Sequence, residues 1–276
     1  MRINNKIIKK NLTMGIGILM LLGVVIVSIL APWFSLHDPN KVDILHRIES
    51  SSATHFLGTD LLGRDIFSRI IFGGRYSLFV GFISIGTSMI LGVFFGIIAG
   101  YYSGAKISKL IMWITDIVFS FPLIIFGAMV GMIFGPGIRN TILAIAIAFW
   151  PRFVRISRAA VLSVKEEVFI TAAKSIGMSD FRIFRIHLLP NISSSIIVMA
   201  VIWLSDAITV EVALSFIGLG VRPPTPSWGT LLDDNMRFFL MQPMGVIWPC
   251  IFIAWTVQAL NLIGDRFRDI LDPKMR

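Results

Sequence analysis

Apolar residues in this chain fall in long uncharged runs, not in the short stripes or alternations of a water-soluble fold. Five runs reach the roughly 20 residues that a helix needs to cross a bilayer. They centre on residues 13–35, 78–100, 110–134, 193–219 and 244–264. A sixth, 140–153, is short because Arg139 and Arg152 bracket it. Arginines near a helix end can snorkel to the headgroups, so Arg152 and Arg155 allow that helix to continue out of the apolar core. The pattern predicts an all-α membrane protein with about six transmembrane helices.

Composition agrees with this. Of the 276 residues, 55% are hydrophobic and only 15% charged, against about 25% charged in a soluble domain. The formal net charge is +9. In a soluble protein that excess would suggest nucleic acid. Here the basic residues lie between apolar runs, where they set topology, and no basic patch interleaved with aromatics predicts a nucleic-acid partner. With six spans and the N-terminus inside, 17 of the 25 Lys and Arg fall inside and 8 outside. Both termini are therefore expected in the cytoplasm of a multi-pass plasma-membrane protein. The first run follows Arg2, Lys6, Lys9 and Lys10 as a signal peptide would, but it stays uncharged from residue 11 to 36. That is too long for a signal-peptide core and reads as an uncleaved anchor. Cys250 is the one cysteine, and it makes no ligand pattern with the four His.

Small residues recur at helical spacing. Gly92, Gly96 and Gly100 repeat every four residues, as do Gly127, Gly131 and Gly135. Such stripes let helix backbones approach closely in lipid, here most simply within the chain. Residues 1–75 are read as a tail, first span and outer loop, and 76–276 as a five-helix core. That core contains a long inner insertion, 152–191. Within it, Phe169, Ala173 and Gly177 share one helical face, a bulky anchor beside two positions with almost no side chain. Gly177 permits a change of direction, and Ser179 before Asp180 suits the start of a second short helix that Pro190 would end. Another protein could dock on this surface, or the helix could lie amphipathically on headgroups.

The segment from Thr171-Ala172-Ala173 through Gly177 to His187-Leu188-Leu189-Pro190 resembles, with its spacing intact, the coupling motif of ABC importer permeases. Thr171 and His187 stand where Glu and Ile are usual, as in the dipeptide, oligopeptide and nickel branch. The same branch is resembled by the 57–65 run Leu-Gly-Thr-Asp-Leu-Leu-Gly-Arg-Asp with Ser68-Arg69, and by Gly74-Arg75-Tyr76-Ser77-Leu78. Further matches are Asp116 with Ser120-Phe121-Pro122, and 211–220 with 223–229. The resemblance covers nearly the whole chain and is to the C-type permease of a pair. It implies a type I ABC importer architecture and import of nickel, a nickel chelate or short peptides. The implied partners are a second homologous permease, two P-loop ATPases and an extracytoplasmic substrate-binding protein, all working in membrane lipid. The residues implied in ATPase coupling are Glu167, Phe169, Thr171, Ala172, Ala173, Gly177, His187, Leu189 and Pro190. The chain has no Walker phosphate loop of its own, so no ATPase activity and no cofactor are expected of it.

Two acidic residues in the fifth run, Asp206 and Glu211, are candidates for the transport pathway, since ionisable groups in a bilayer tend to face water or a partner. Asp206 is the better candidate for cation contact, and Glu211 reads first as structural. A self-sufficient ion-coupled secondary transporter or channel built on this pair is the alternative. Asp116 is expected to pair with a nearby Arg. His37, His46 and His55, nine residues apart, match no local metal-ligand spacing and read as solvated loop residues. No set of side chains predicts catalysis.

Overall fold

The computed structural model describes residues 2–271. Among these the secondary structure is helical, apart from one isolated bridge between Thr59 and Asp65. The α-helices are α1 (Arg2–Ile29), α2 (Ala31–Phe34), α3 (Ile66–Tyr101), α4 (Lys106–Phe119), α5 (Leu123–Phe134), α6 (Ile138–Val164), α7 (Val168–Ser175), α8 (Asp180–Ile183), α9 (Leu189–Phe216), α10 (Trp228–Met236) and α11 (Met244–Leu271).

Four helices are by themselves long and apolar enough to cross a bilayer: α1, α3, α9 with the turns that precede it, and α11. The run 110–134 differs from the single helix expected of it. It breaks into α4 and α5, bent by 90°. The break falls at Ser120-Phe121-Pro122, where Pro122 lacks an N–H and disfavours helical backbone at the residue before it. Taken as one bent span, the pair is a fifth. The short run 140–153 became the 27-residue helix α6, which continues through Arg152, Arg155 and Arg158. Those arginines dilute its hydropathy, so length alone would let it cross.

The central element is α3. It begins at Ile66, well before the apolar run at 78, because Asp65 caps it: Oδ2 accepts from Ser68 N at 2.7 Å and Ser68 Oγ at 2.6 Å. Its 36 residues extend roughly 54 Å. α3 packs along α6 through the first glycine stripe. A Cβ on Gly92, Gly96 or Gly100 would lie 2.3 Å from Phe153 Cβ, 2.5 Å from Ser157 Cβ or 2.8 Å from Val161 Cβ. Ser88 Oγ donates across the same seam to the Ala146 carbonyl at 2.8 Å. Gly127 and Gly131 lie against Leu214 and Leu219 in the same way, while Gly135 meets nothing and instead ends α5 with φ +80°. The first stripe and the first two glycines of the second therefore pack inside the chain.

Candidate functional site

The two ends of α3 carry different chemistry. At its N-terminal end, the 36–65 loop and α10 close over a buried charge cluster. Arg64 Nε donates to Asp60 Oδ2 at 2.6 Å and Arg64 Nη2 to Asp234 Oδ2 at 2.7 Å. Arg69 Nη2 donates to the same Asp234 oxygen at 2.9 Å, and Nη1 to the Pro39 carbonyl at 3.1 Å. Gly63 adopts φ +72° beneath this cluster, and a Cβ there would lie 1.7 Å from the Asp43 carbonyl oxygen. The Leu-Gly-Thr-Asp-Leu-Leu-Gly-Arg-Asp run is thus the part of the loop that binds it to α3 and α10. Trp228, wholly buried, donates from Nε1 to the Ile70 carbonyl at 3.1 Å.

At the other end lies the 165–190 segment. Glu167 precedes α7, its carbonyl accepting from Ile170 N at 3.0 Å. The helix ends at Gly177, φ +77°, where Gly177 N reaches the Lys174 carbonyl at 2.9 Å and Met178 N the Ala173 carbonyl at 3.1 Å. This is a Schellman stop, and it requires a residue at ease in the left-handed region. A Cβ on Gly177 would meet nothing, so the constraint is on the backbone and the space outside is open. Ser179 then precedes α8 as the sequence predicts.

Pro190 does not end that helix. The chain widens into a π-turn over Phe184–Leu188 and runs straight into α9, with Pro190 in its first turn. The wider turn accommodates both the missing N–H and the proline ring. Phe169, Ala173 and Gly177 also do not form one open face. Ala173 is buried with Ile170 against Ile183 and Leu188 of the same chain. Glu167, Phe169, Thr171, Ala172, Gly177, Leu189 and Pro190 are exposed, and the His187 ring lies 5.8 Å from that of Phe169. Periodicity alone missed the large apolar side chains that are left exposed beside them. Val168 is 82%, Ile176 79% and Phe181 75% exposed.

This segment is tied to the C-terminal end of α3. Tyr101 and Tyr102 both donate to Asp180, at 2.7 and 2.5 Å to its two carboxylate oxygens. Holding the Asp180 carboxylate raises the Tyr102 phenol above its ordinary pKa. Lys174 Nζ sits 4.7 Å over the Tyr101 ring, and Lys165 Nζ donates to Ser103 Oγ at 2.5 Å.

The pathway candidates part company. Asp206 is exposed on one side of the bundle and pairs with Arg152 at 3.0 Å. Asp116 pairs with Arg155 at 2.8 Å, which is the arginine partner expected for it. The two arginines, with Phe119, Ile156 and Trp203, line a shallow cavity of about 500 Å³. Arg155 stacks 3.9 Å over the Phe119 ring and Arg152 4.7 Å over that of Phe149. Glu211 is wholly buried away from this face. Its Oε1 accepts from Ser215 Oγ at 2.7 Å, and that hydroxyl accepts in turn from Val221 N.

The chain is thus a helical membrane bundle with no phosphate loop, exposed apolar side chains at one end of its longest helix and a charged open face. Residues 92–276 match the family model described as the binding-protein-dependent transport system inner membrane component, and the chain belongs to that family. It is 41% identical over 271 residues to the dipeptide transport system permease protein DppC of Alkalihalophilus pseudofirmus, covering 98% of this chain and 89% of that one. It is 37% identical over 272 residues to the glutathione transport system permease protein GsiD of Pectobacterium atrosepticum, covering 98% and 90%. Its fold is that of the permease in inward-facing structures of the MetNI methionine ABC transporter. The TM-score is 0.61 at 18% identity, with 74% of this chain and 97% of that one covered. The protein is an ABC importer permease subunit of the peptide branch, an integral component of the inner or cell membrane.

Proposed function

We propose that this permease pairs with a second, homologous permease and passes short peptides delivered by an extracytoplasmic binding protein. In this reading two P-loop ATPases dock on the 165–190 segments. The observation that carries it is the set of large apolar side chains around Gly177 that stand in solvent beside a rigid helix stop. Burial of a side chain such as Ile176 or Phe181 in a partner groove is favourable by roughly 1.5–3 kcal/mol each. No such gain is available while they face water. The exposed Asp116, Arg152, Arg155 and Asp206 face supports a polar route against the second permease, and Asp206 belongs to it while Glu211 holds the 211–221 junction. In this reading the chain has six spans and both termini in the cytoplasm, which would put the docking segment on the ATP side.

Peptides are the favoured cargo because the relatives that match nearly end to end are named for dipeptides, tripeptides and glutathione. An open face with both charge signs is also suited to zwitterions. The test is reconstitution of the co-purified complex in liposomes with its binding protein. Uptake of a labelled dipeptide that requires ATP is expected. Ion-driven uptake by the chain alone, without ATP, would establish the secondary-transporter alternative instead.

A further inference from the structure

Three side chains of the 36–65 loop that take no part in the Arg64–Arg69–Asp234 cluster converge. His37 follows α2, His55 lies mid-loop and Asp65 caps α3. Their separations along the chain, 18 and 10 residues, hide the arrangement, because only the loop's folding against α3 brings them together. The two imidazoles stack with centroids 4.5 Å apart. One ligand atom from each of the three residues lies within 4.8 Å of the other two.

We propose that His37, His55 and Asp65 bind one divalent transition-metal ion. His55 Nδ1 and Asp65 Oδ1 are 3.0 Å apart, close to the ligand–ligand edge of about 3.4 Å that follows from tetrahedral bonds of about 2.0–2.1 Å. An ion entering there replaces the hydrogen bond between them after a small opening. The surroundings orient the donors. Asp65 Oδ2 is fixed by Ser68 N and Oγ, leaving Oδ1 toward the ion. His37 Nε2 lies 2.9 Å from the Thr54 carbonyl and must donate its proton there, which leaves the Nδ1 lone pair for a metal. Two nitrogens and one carboxylate suit Zn²⁺, Ni²⁺ or Cu²⁺, not Mg²⁺ or Ca²⁺.

Three protein ligands leave a fourth position. It opens on a cavity of about 250 Å³, lined also by Asp43, His46 and Glu49. His46 is not part of the triad. It is held 3.0 Å from Asp43 at the cavity's exposed rim. The ion would tie the segment after α2 and the middle of the loop to the start of α3. Its action is thus to order the loop, and it is separate from the cargo route proposed above.

The test uses the full chain with its co-purified partners in detergent, carrying no histidine tag and stripped by chelator. Titration with Zn²⁺ or Ni²⁺ alone is followed by calorimetry, and the visible spectrum is read with Co²⁺. The expected result is one ion per chain and a tetrahedral cobalt spectrum. Affinity should fall at least tenfold in His37→Ala and in His55→Ala, with little change in His46→Ala. Bound metal should also slow proteolysis of the 36–65 loop. Absence of stoichiometric binding to the wild-type chain would overturn the proposal, as would binding that survives the His37→Ala/His55→Ala double substitution. The variants' elution profiles establish that they remain folded, and the cobalt spectrum of the wild type reads the ligand set without any substitution.

Discussion

The two ends of α3 are built on opposite principles. At the N-terminal end, Arg64 and Arg69 are almost fully buried, yet each finds carboxylate or carbonyl acceptors within the same chain. At the C-terminal end, Asp180 is held by two tyrosines and Lys174 lies over a ring, yet Val168, Ile176 and Phe181 are left exposed. One end pairs its buried charges within the chain, while the other leaves large apolar side chains exposed. The first end is a fixed frame; the second, under the proposed function, is a handle offered to a partner.

Removing the shared acceptor should break the frame and leave the handle untouched. Asp234→Ala deprives two buried guanidiniums of their common carboxylate, and a broken buried pair costs about 3–5 kcal/mol. Thermal unfolding in detergent is expected to show a larger loss of stability than any substitution at the handle, with ATPase association retained by the folded fraction. At the handle, Gly177→Ala forces an L residue into φ +77° without meeting any atom, at a cost of about 1–2 kcal/mol. Hydrogen exchange should show faster opening of 168–190 and no change around Asp60. Gly177→Asn should recover part of that loss, since asparagine tolerates the conformation.

Smaller effects sharpen the comparison. Tyr102→Phe removes one of the two phenols that hold Asp180. An exposed hydrogen bond of this kind contributes at the low end of about 0.5–1.5 kcal/mol, so melting should barely move. Coupling of ATP hydrolysis to uptake should weaken, because the segment's tie to α3 is what that bond supplies. Asp206→Asn should leave stability within about 1 kcal/mol, since the Arg152 pair is exposed. Dipeptide uptake should fall several-fold in reconstituted complexes. Unchanged uptake with normal assembly would remove Asp206 from the route.

Legibility in the sequence depended on whether the information was local. The helix stop at Gly177, the start at Ser179 and the glycine stripes, Gly135 apart, are short-range patterns, and the structure places them where spacing predicts. Asp116 found an arginine because α4 packs against α6, which carries Arg155. Non-local packing was not legible. Ala173 has the right periodicity for the open face, but Ile183 and Leu188 return beneath it. In the sequence Ser120-Phe121-Pro122 reads only as a family-like match inside one long run, and the 90° break there is not foreseen. His37 and His55 looked unrelated, since only the path of the loop brings their rings together. The arginines of α6 cut short a hydropathy run without ending the helix, because a long side chain can leave the apolar layer while its backbone stays in register.

The most direct test of the partner-dependent handle is co-purification of the ATPase with the chain carrying Ile176→Asp, beside Leu45→Asp as control. Both positions are strongly exposed, at 79% and 92%, but they sit in the regions at opposite ends of α3. Neither substitution buries a charge in the free chain, so both variants should insert and fold. Ile176→Asp is expected to lose the ATPase while keeping the second permease, and Leu45→Asp to keep both. Full ATPase recovery with Ile176→Asp would contradict docking through this segment.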